Sequence, residues 1–282
     1  MNDEALFDIA VRESGEVFYP LPRSRSGWGT GMLRGMAVTG LLARGTEACA
    51  AGLGTAAEFT PVRFTADLFR PAPAEESRIE TSVVRRGRRL LVIDAVLIQQ
   101  DVAVARSSTV LAAALPPAAG TVWQQDESEL PQAPALQPTS EDLRLFYAAE
   151  TGWAQVEDAP ESPARRGAWH LALPVVQGEV PSGFVVAAYV ADAANIVSNW
   201  GDAGLQYINA DVTLALSRLP DPGGVGLFAL DRHEAGGLAI GTSAMFDSRG
   251  RCGTVTTAAL GNADHAVNPK TKAPLQRASA KN

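Results

Sequence analysis

Residues 184 to 200, FVVAAYVADAANIVSNW, decide how this chain is built. The run is apolar at nearly every position, so as a helix it has no wet face, and Ala187, Ala188, Ala191 and Ala194 keep it slender. A slender helix without a wet face must be wrapped by another element. The chain that follows supplies the wrapping, in strand-like runs Leu205 to Arg218, Val225 to Asp231, Leu238 to Phe246 and Cys252 to Leu260. One acid, Asp192, breaks the apolar run, with Ala188, Tyr189 and Ile196 as its helical neighbours.

The first half repeats this order. Gly27, Gly29 and Gly31 lead into a helix-like stretch, Met32 to Ala51, with Leu33, Met36, Ala37, Leu41 and Ala48 at spacings of three, four and seven. Strand-like runs follow at Val62 to Arg70, Arg78 to Arg85, Leu90 to Gln99 and Val102 to Ala113. Arg70 and Arg218, 148 residues apart, each close a strand before a proline-containing turn. A helix followed by an antiparallel meander can bury that helix only if the sheet curls around it. The pattern therefore predicts an α+β double hotdog, two antiparallel sheets each wrapped around a long central helix. Residues 1–114 are the N-terminal module and 143–265 the C-terminal module. Between them, residues 115–142 hold Pro116, Pro117, Gly120, Pro131, Pro134 and Pro138 and read as a linker. Residues 266–282, with Lys270, Lys272, Arg277 and Lys281 and little to bury, read as a disordered basic tail.

Composition narrows the function. The 282 residues carry a formal charge of −7, from 24 Lys+Arg against 31 Asp+Glu, which offers no field to gather nucleic acid. Cys49 and Cys252 are too few and too far apart for a disulfide framework, and a reducing, cytoplasmic setting is expected. The acidic start predicts no signal peptide, and charge interrupts every stretch long enough for a membrane span. His170, His233 and His265 stand isolated, so no metal site is expected. No Gly-x-Ser-x-Gly elbow follows a strand, which leaves a serine nucleophile without support. Cys252, beside a turn, reads as a small buried strand residue.

Several motifs, in order, resemble the type II acyl-CoA thioesterases of the double-hotdog kind. In the first half these are Gly27-Trp28-Gly29-Thr30-Gly31-Met32-Leu33-Arg34-Gly35, Leu41-Leu42-Ala43-Arg44, Phe69-Arg70-Pro71-Ala72-Pro73 and Val84-Arg85-Arg86-Gly87-Arg88. In the second they are Ala191-Asp192 with Asn195, Ile208-Asn209-Ala210-Asp211-Val212-Thr213-Leu214, Ser217-Arg218-Leu219-Pro220 and Asp247-Ser248-Arg249-Gly250 before Cys252-Gly253. The resemblance implies a pseudo-dimer of two modules that hydrolyses an acyl-CoA thioester in the cleft between them. It implies no cofactor beyond coenzyme A, which enters as part of the substrate, and places the chain in lipid metabolism. Fused relatives often assemble further, so a homodimer is a further expectation.

The same resemblance makes Asp192 part of the catalytic network that activates water. A carboxylate ionised at neutral pH can take a proton from water, and such assistance is worth roughly 10²- to 10⁴-fold. The alternative for Asp192 is a side chain that is solvated or locally hydrogen-bonded. Asn209 falls where relatives place a hydroxyl or amide that holds the water, with Thr213 further along the same strand face. Asp211 reads as a structural or solvent-facing acid. Relatives complete their triad with a glutamine on the last strand. Here Gly253 to Leu260 holds none, and Thr256 or Thr257 is the nearest polar substitute. Relatives often carry His before the first helix glycine, where this chain has Arg34-Gly35. Backbone N–H groups at that helix entry, around Gly31, are suited to polarise a carbonyl or hold an anion. Arg85 and Arg88 at a hairpin could meet CoA phosphates, or simply keep the hairpin soluble. Trp200 at a helix end could line an acyl tunnel or only pack. Because the glutamine is missing, the rival reading is a non-catalytic acyl-CoA or acyl-carrier binding protein. A hotdog dehydratase fits less well, since neither central helix carries a catalytic-looking histidine.

Overall fold

The computed structural model describes residues 5–13, 15–26, 31–116, 119–139, 143–221 and 223–271. The chain opens with a hairpin that the sequence pattern did not announce, β1 (Phe7–Arg12) and β2 (Gly15–Pro20). Helix α1 (Gly35–Gly52) follows, then β3 (Phe59–Asp67), β4 (Arg78–Arg86), β5 (Leu90–Gln99) and β6 (Val102–Ala113). The first strand starts and ends three residues before its expected position, so Arg70 lies beyond it. Residues 115–116, 119–139 and 143 add no helix or strand among the described residues.

The second module begins with β7 (Arg144–Ala148), β8 (Gly152–Ala154) and β9 (Arg166–His170), none of them anticipated. The long apolar helix is in fact two, α2 (Gly183–Ala191) and α3 (Ala194–Asn199), parted at Asp192-Ala193. Next come β10 (Trp200–Gly201), β11 (Gly204–Leu205), β12 (Tyr207–Asn209), β13 (Asp211–Leu216), β14 (Val225–Ala235), β15 (Leu238–Asp247) and β16 (Gly250–Gly261).

The two modules share one sheet, in the order β4-β5-β6-β3-β13-β16-β15-β14-β9-β7-β8, with β12 also on β16. The seam is the antiparallel pair β3·β13, where Thr65 faces Thr213. Those threonines are 148 residues apart, as are Gly35 and Gly183, the first residues of α1 and α2. A pseudo-two-fold axis thus runs through the seam and relates the two helices. The helices pack against each other under the curled sheet, and Gly40 makes this possible: a Cβ there would lie 3.1 Å from the Tyr189 Cβ. One continuous core results, from Leu41, Leu42 and Phe64 to Phe184, Val186 and Leu214. The fold is the double hotdog. Among the described residues no helix is long and apolar enough to cross a membrane.

One irregularity places the site. On β12 Ile208 faces Leu260 and Asn209 faces Ala259, whereas on β13 Thr213 faces Thr256, a register shifted by one residue. The extra residue is Ala210, and its bulge reverses which side chains point inward. The uninterrupted alternation expected over Ile208 to Ser217 is therefore corrected: Val212 and Leu214 are buried, but Ile208 is 40% exposed.

The tail also differs from its expectation. Val267 bridges Leu205, and both Ala266 and Val267 are buried. Apolar contact at these two residues holds the first part of the segment down, while 272–282 lies outside the described residues.

Candidate functional site

Asp192 follows the last turn of α2 and reaches across the module boundary to the start of α1. Its carboxylate accepts the backbone N–H of Met36, the second residue of α1, and the side-chain Nδ2–H of Asn209 at 3.0 Å. Helix α1 has no cap of its own, since Arg34 precedes it without a side-chain bond to the helix, so the acid from the other module serves at that end. Gly35 is what lets it approach. A Cβ there would fall 2.6 Å from the Asp192 carboxyl carbon. Burial raises the pKa of Asp192 above the usual carboxylate value, and Asn209, the Met36 N–H, Arg34 and Arg144 pull the other way.

Two clefts meet at this carboxylate. One, of about 300 Å³, is apolar: its rim carries Phe69 and Ile208, and its floor is Leu33, Val38, Ala72 and Ala105. The other, of about 120 Å³, is mixed, with Arg34, Arg144, Asn195 and Asn268 in its wall beside Ile196, Leu205 and Val267. Among the described residues, only Ser26, Gly35, Asp192 and Asn209 line both. Asn195 donates to the carbonyl of Tyr207, which holds β12, and with it Asn209, against the helix pair. Asn199 donates in turn to Asn195 and accepts from Arg232.

The expected site residues separate into two groups. Asp192, Asn209, Arg34 and Gly35 come together. Thr213 does not, because the Ala210 bulge leaves it on the opposite face from Asn209, along the row Thr65, Thr213, Thr256 and Thr242. Thr256 lies in that outer row, 3.5 Å from the Thr242 hydroxyl. Thr257 points inward but is buried beside Gly241 and Ser198, in the wall of neither cleft. The strand residue opposite Asn209 is Ala259, so neither threonine takes the place of the missing glutamine. Arg85 and Arg88 sit on the exposed β4–β5 hairpin at the sheet's outer edge and line neither cleft. Gly31, at φ +84°, shapes the turn before α1 and accepts from the Ala74 N–H, without entering either cleft. Gly27, Trp28, Gly29 and Thr30 lie outside the described residues. Trp200 packs against Phe146 and under the guanidinium of Arg166 at 4.0 Å, beside a separate cavity of about 400 Å³.

Asp211 is on the outer face opposite Asp67, accepting the Ala258 N–H, as a structural acid would. Cys252 is buried, and burial pushes its thiol up to about 12. Sequence reasoning missed Ser26, Arg144 and Asn268. Ser26 precedes a glycine-rich stretch, and Arg144 and Asn268 stand at the edges of segments read as linker and tail, where no periodic signal exists.

Across the pseudo-axis, the position equivalent to Asp192 is Arg44, and Glu47, one turn further along α1, faces the start of α2 and accepts the Ser182 hydroxyl at 2.6 Å. This counterpart is closed over, because Arg44 joins Glu179 at 2.7 Å and Glu16 of the N-terminal hairpin.

Residues 24–114 match the family model of the acyl-CoA thioesterase N-terminal domain. The match covers the N-terminal module, which is similar to that family. No curated protein matches its sequence. Among solved structures, the acyl-CoA thioesterase II TesB2 of Mycobacterium marinum is similar at 15% identity and TM-score 0.60, covering 93% of this chain and 97% of that one. A conserved protein with a hot dog fold from Alicyclobacillus acidocaldarius gives 13% identity and TM-score 0.61, over 92% and 97%. The tesB protein of Mycobacterium avium subspecies paratuberculosis gives 17% and 0.55, over 87% and 92%. At these identities the likeness is one of fold.

Proposed function

We propose that this protein is an acyl-CoA thioesterase of the type II kind and hydrolyses an acyl-CoA thioester with a water oriented by Asp192. The observation that carries the reading is the place of that carboxylate, at the junction of an apolar cleft and a mixed one whose wall carries Arg34 and Arg144. A thioester of coenzyme A has the same two-sided character. Its acyl chain suits the floor formed by Leu33, Val38, Ala72 and Ala105, and its phosphorylated arm suits Arg34 and Arg144. The carbonyl then lies between them, beside Asp192.

The chemistry follows from the contacts. Asn209 bonds one carboxylate oxygen and fixes its direction. The carboxylate takes a proton from water as the water oxygen attacks the carbonyl carbon. Because burial raises its pKa, the acid also returns that proton readily to the departing thiolate. Assays across acyl-CoA chain lengths test the reading. Wild type is expected to turn over, and Asp192→Ala to lose about 10²- to 10⁴-fold in kcat. Equal rates for the two proteins would place the chemistry elsewhere.

A second reading is favoured by one feature, the lack of any glutamine or substitute hydroxyl on β16 beside Asp192. It is a non-catalytic protein that binds acyl-CoA or an acyl carrier. Retained ligand binding without turnover by wild type would select it.

A further inference from the structure

Asn209 can serve Asp192 only if its strand keeps it in place, and that strand is held along one edge alone. β12 is three residues long and, among the described residues, pairs only with β16. On that edge the Gln206 carbonyl accepts the Asn262 N–H, and Ala210 donates to the Ala258 carbonyl. By the alternation of an antiparallel ladder, residues 207 and 209 then turn their backbone groups to the open side, where no strand of the described residues meets them. The Tyr207 carbonyl needs a partner there.

A run of three side chains supplies it. Asn195 and Asn199, both buried, stand one turn apart on the same side of α3. The Asn195 amide donates to the Tyr207 carbonyl at 3.1 Å, the Asn199 amide donates to Asn195 Oδ1 at 3.0 Å, and Asn199 Oδ1 accepts from Arg232 Nε at 2.9 Å. A bulge brings Arg232 to this place. Ala229 is buried opposite Ser243, so plain alternation along β14 would send Asp231 inward, but the register shifts at Leu230 and sets Arg232 opposite Gly241. Gly241 faces α3, since a Cβ there would meet Ser198, and Arg232 shares that side. Its guanidinium carbon lies 5.1 Å from the centre of the Tyr207 ring. The run therefore closes on a single residue: one end holds the Tyr207 carbonyl and the other covers its ring, two positions before Asn209.

We infer that Asn195, Asn199 and Arg232 are positioning residues for the hydrolysis, a clasp on Tyr207 that fixes β12 so that the Asn209 amide meets Asp192. The inference rests on the proposed reaction and alters none of its steps. Asn199 and Arg232 line neither cleft at Asp192, so their effect passes through Asn195 and Tyr207. When the clasp opens, Asn209 is free to leave the carboxylate, which loses a bond that favours its charged form.

The experiment compares wild type, Asn199→Leu, Arg232→Ala and Arg232→Lys on one acyl-CoA substrate, reading kcat, KM, the pH profile of kcat/KM and a melting curve. Asn199→Leu keeps the size and removes both bonds; it is expected to lower kcat by about 10- to 10²-fold with little change in KM, and to move the acidic limb to higher pH. In an Asn209→Ala background the same substitution should add little. Arg232→Ala is expected to move the limb in the same direction by less, and Arg232→Lys to recover part of the loss. The charges that bear on Asp192 are those of Arg34 and Arg144, so a limb moved by an Arg232 variant reports the clasp and not a lost charge. A folded Asn199→Leu whose limb stays in place overturns the assignment, whether or not kcat falls, and leaves the hydrolase reading intact. Effects of Asn199→Leu and Asn209→Ala that simply add overturn it as well. Should Asn199→Leu lose its fold, an unmoved limb in Arg232→Ala, at the exposed end of the run, is equally fatal. A wild type that hydrolyses no acyl-CoA overturns both readings.

Discussion

Replacing Gly35 by alanine places a methyl group where the Asp192 carboxylate now lies. The new Cβ would stand 2.5 Å from Oδ2 and 2.6 Å from Cγ, when ordinary contact begins near 3.4 Å, so the carboxylate must retreat by about 1 Å. A retreat of that size breaks its bond to the Met36 N–H, and loss of a bond to a charged group costs about 1.5–3 kcal/mol. Alanine returns up to about 1 kcal/mol of helix propensity. The net is a destabilisation of about 1–2 kcal/mol, a drop of a few degrees in melting temperature. Activity should suffer far more, since a 1 Å misplacement of a catalytic group can cost 10²-fold. Acyl-CoA hydrolysis and thermal melts of Gly35→Ala read the two effects separately. The double variant with Asp192→Ala gives the decisive measurement. With the carboxylate gone the clash is relieved, and Gly35→Ala should become neutral or stabilising in that background. A Gly35→Ala protein that hydrolyses within threefold of wild type, or two substitutions whose effects on melting simply add, would refute the contact between modules as the basis of the site.

Four further outcomes are expected. Because burial holds the pKa of Asp192 above the ordinary carboxylate value and the base works ionised, activity should fall as pH drops through that raised value. Asn209→Ala removes a bond that favours the charged form, so the acidic limb of the kcat/KM profile should move to higher pH; an unmoved limb would separate Asn209 from the base. Ala105→Leu fills the floor of the apolar cleft and should lower the ratio of decanoyl- to butanoyl-CoA kcat/KM by at least about tenfold, the scale set by a few kcal/mol of acyl-chain burial. Asp247 is fully buried under Arg218, at 2.7 Å to each oxygen, and Arg249, which hold its pKa well below the usual range. Since the folded value is depressed, this clamp stabilises the β15–β16 turn above the ordinary carboxylate range and fades as pH falls below it. Arg218→Ala should therefore cost about 1–3 kcal/mol at neutral pH and less in acid, by chemical denaturation at the two pH values.

Apolar periodicity and the repeated order of elements were enough to determine the double hotdog. A helix apolar all round can only be wrapped, and the offset of 148 residues recurs in the structure as the pairing of Thr65 with Thr213. Asp192 was legible for the same reason, as the one charge in a segment with nowhere to expose it. What required the tertiary structure was every relation between distant parts. Alternation along Ile208 to Ser217 carries no sign of the bulge at Ala210, yet that single extra residue sends Asn209 inward to Asp192 and leaves Thr213 outside. The breadth of the site came from convergence: Ser26 and Gly35 from one module, Asp192 and Asn209 from the other, and Asn268 from a segment with no pattern to read. Local sequence sets local conformation through forces of short range, while a cleft is what remains between surfaces after packing, and packing depends on the whole chain.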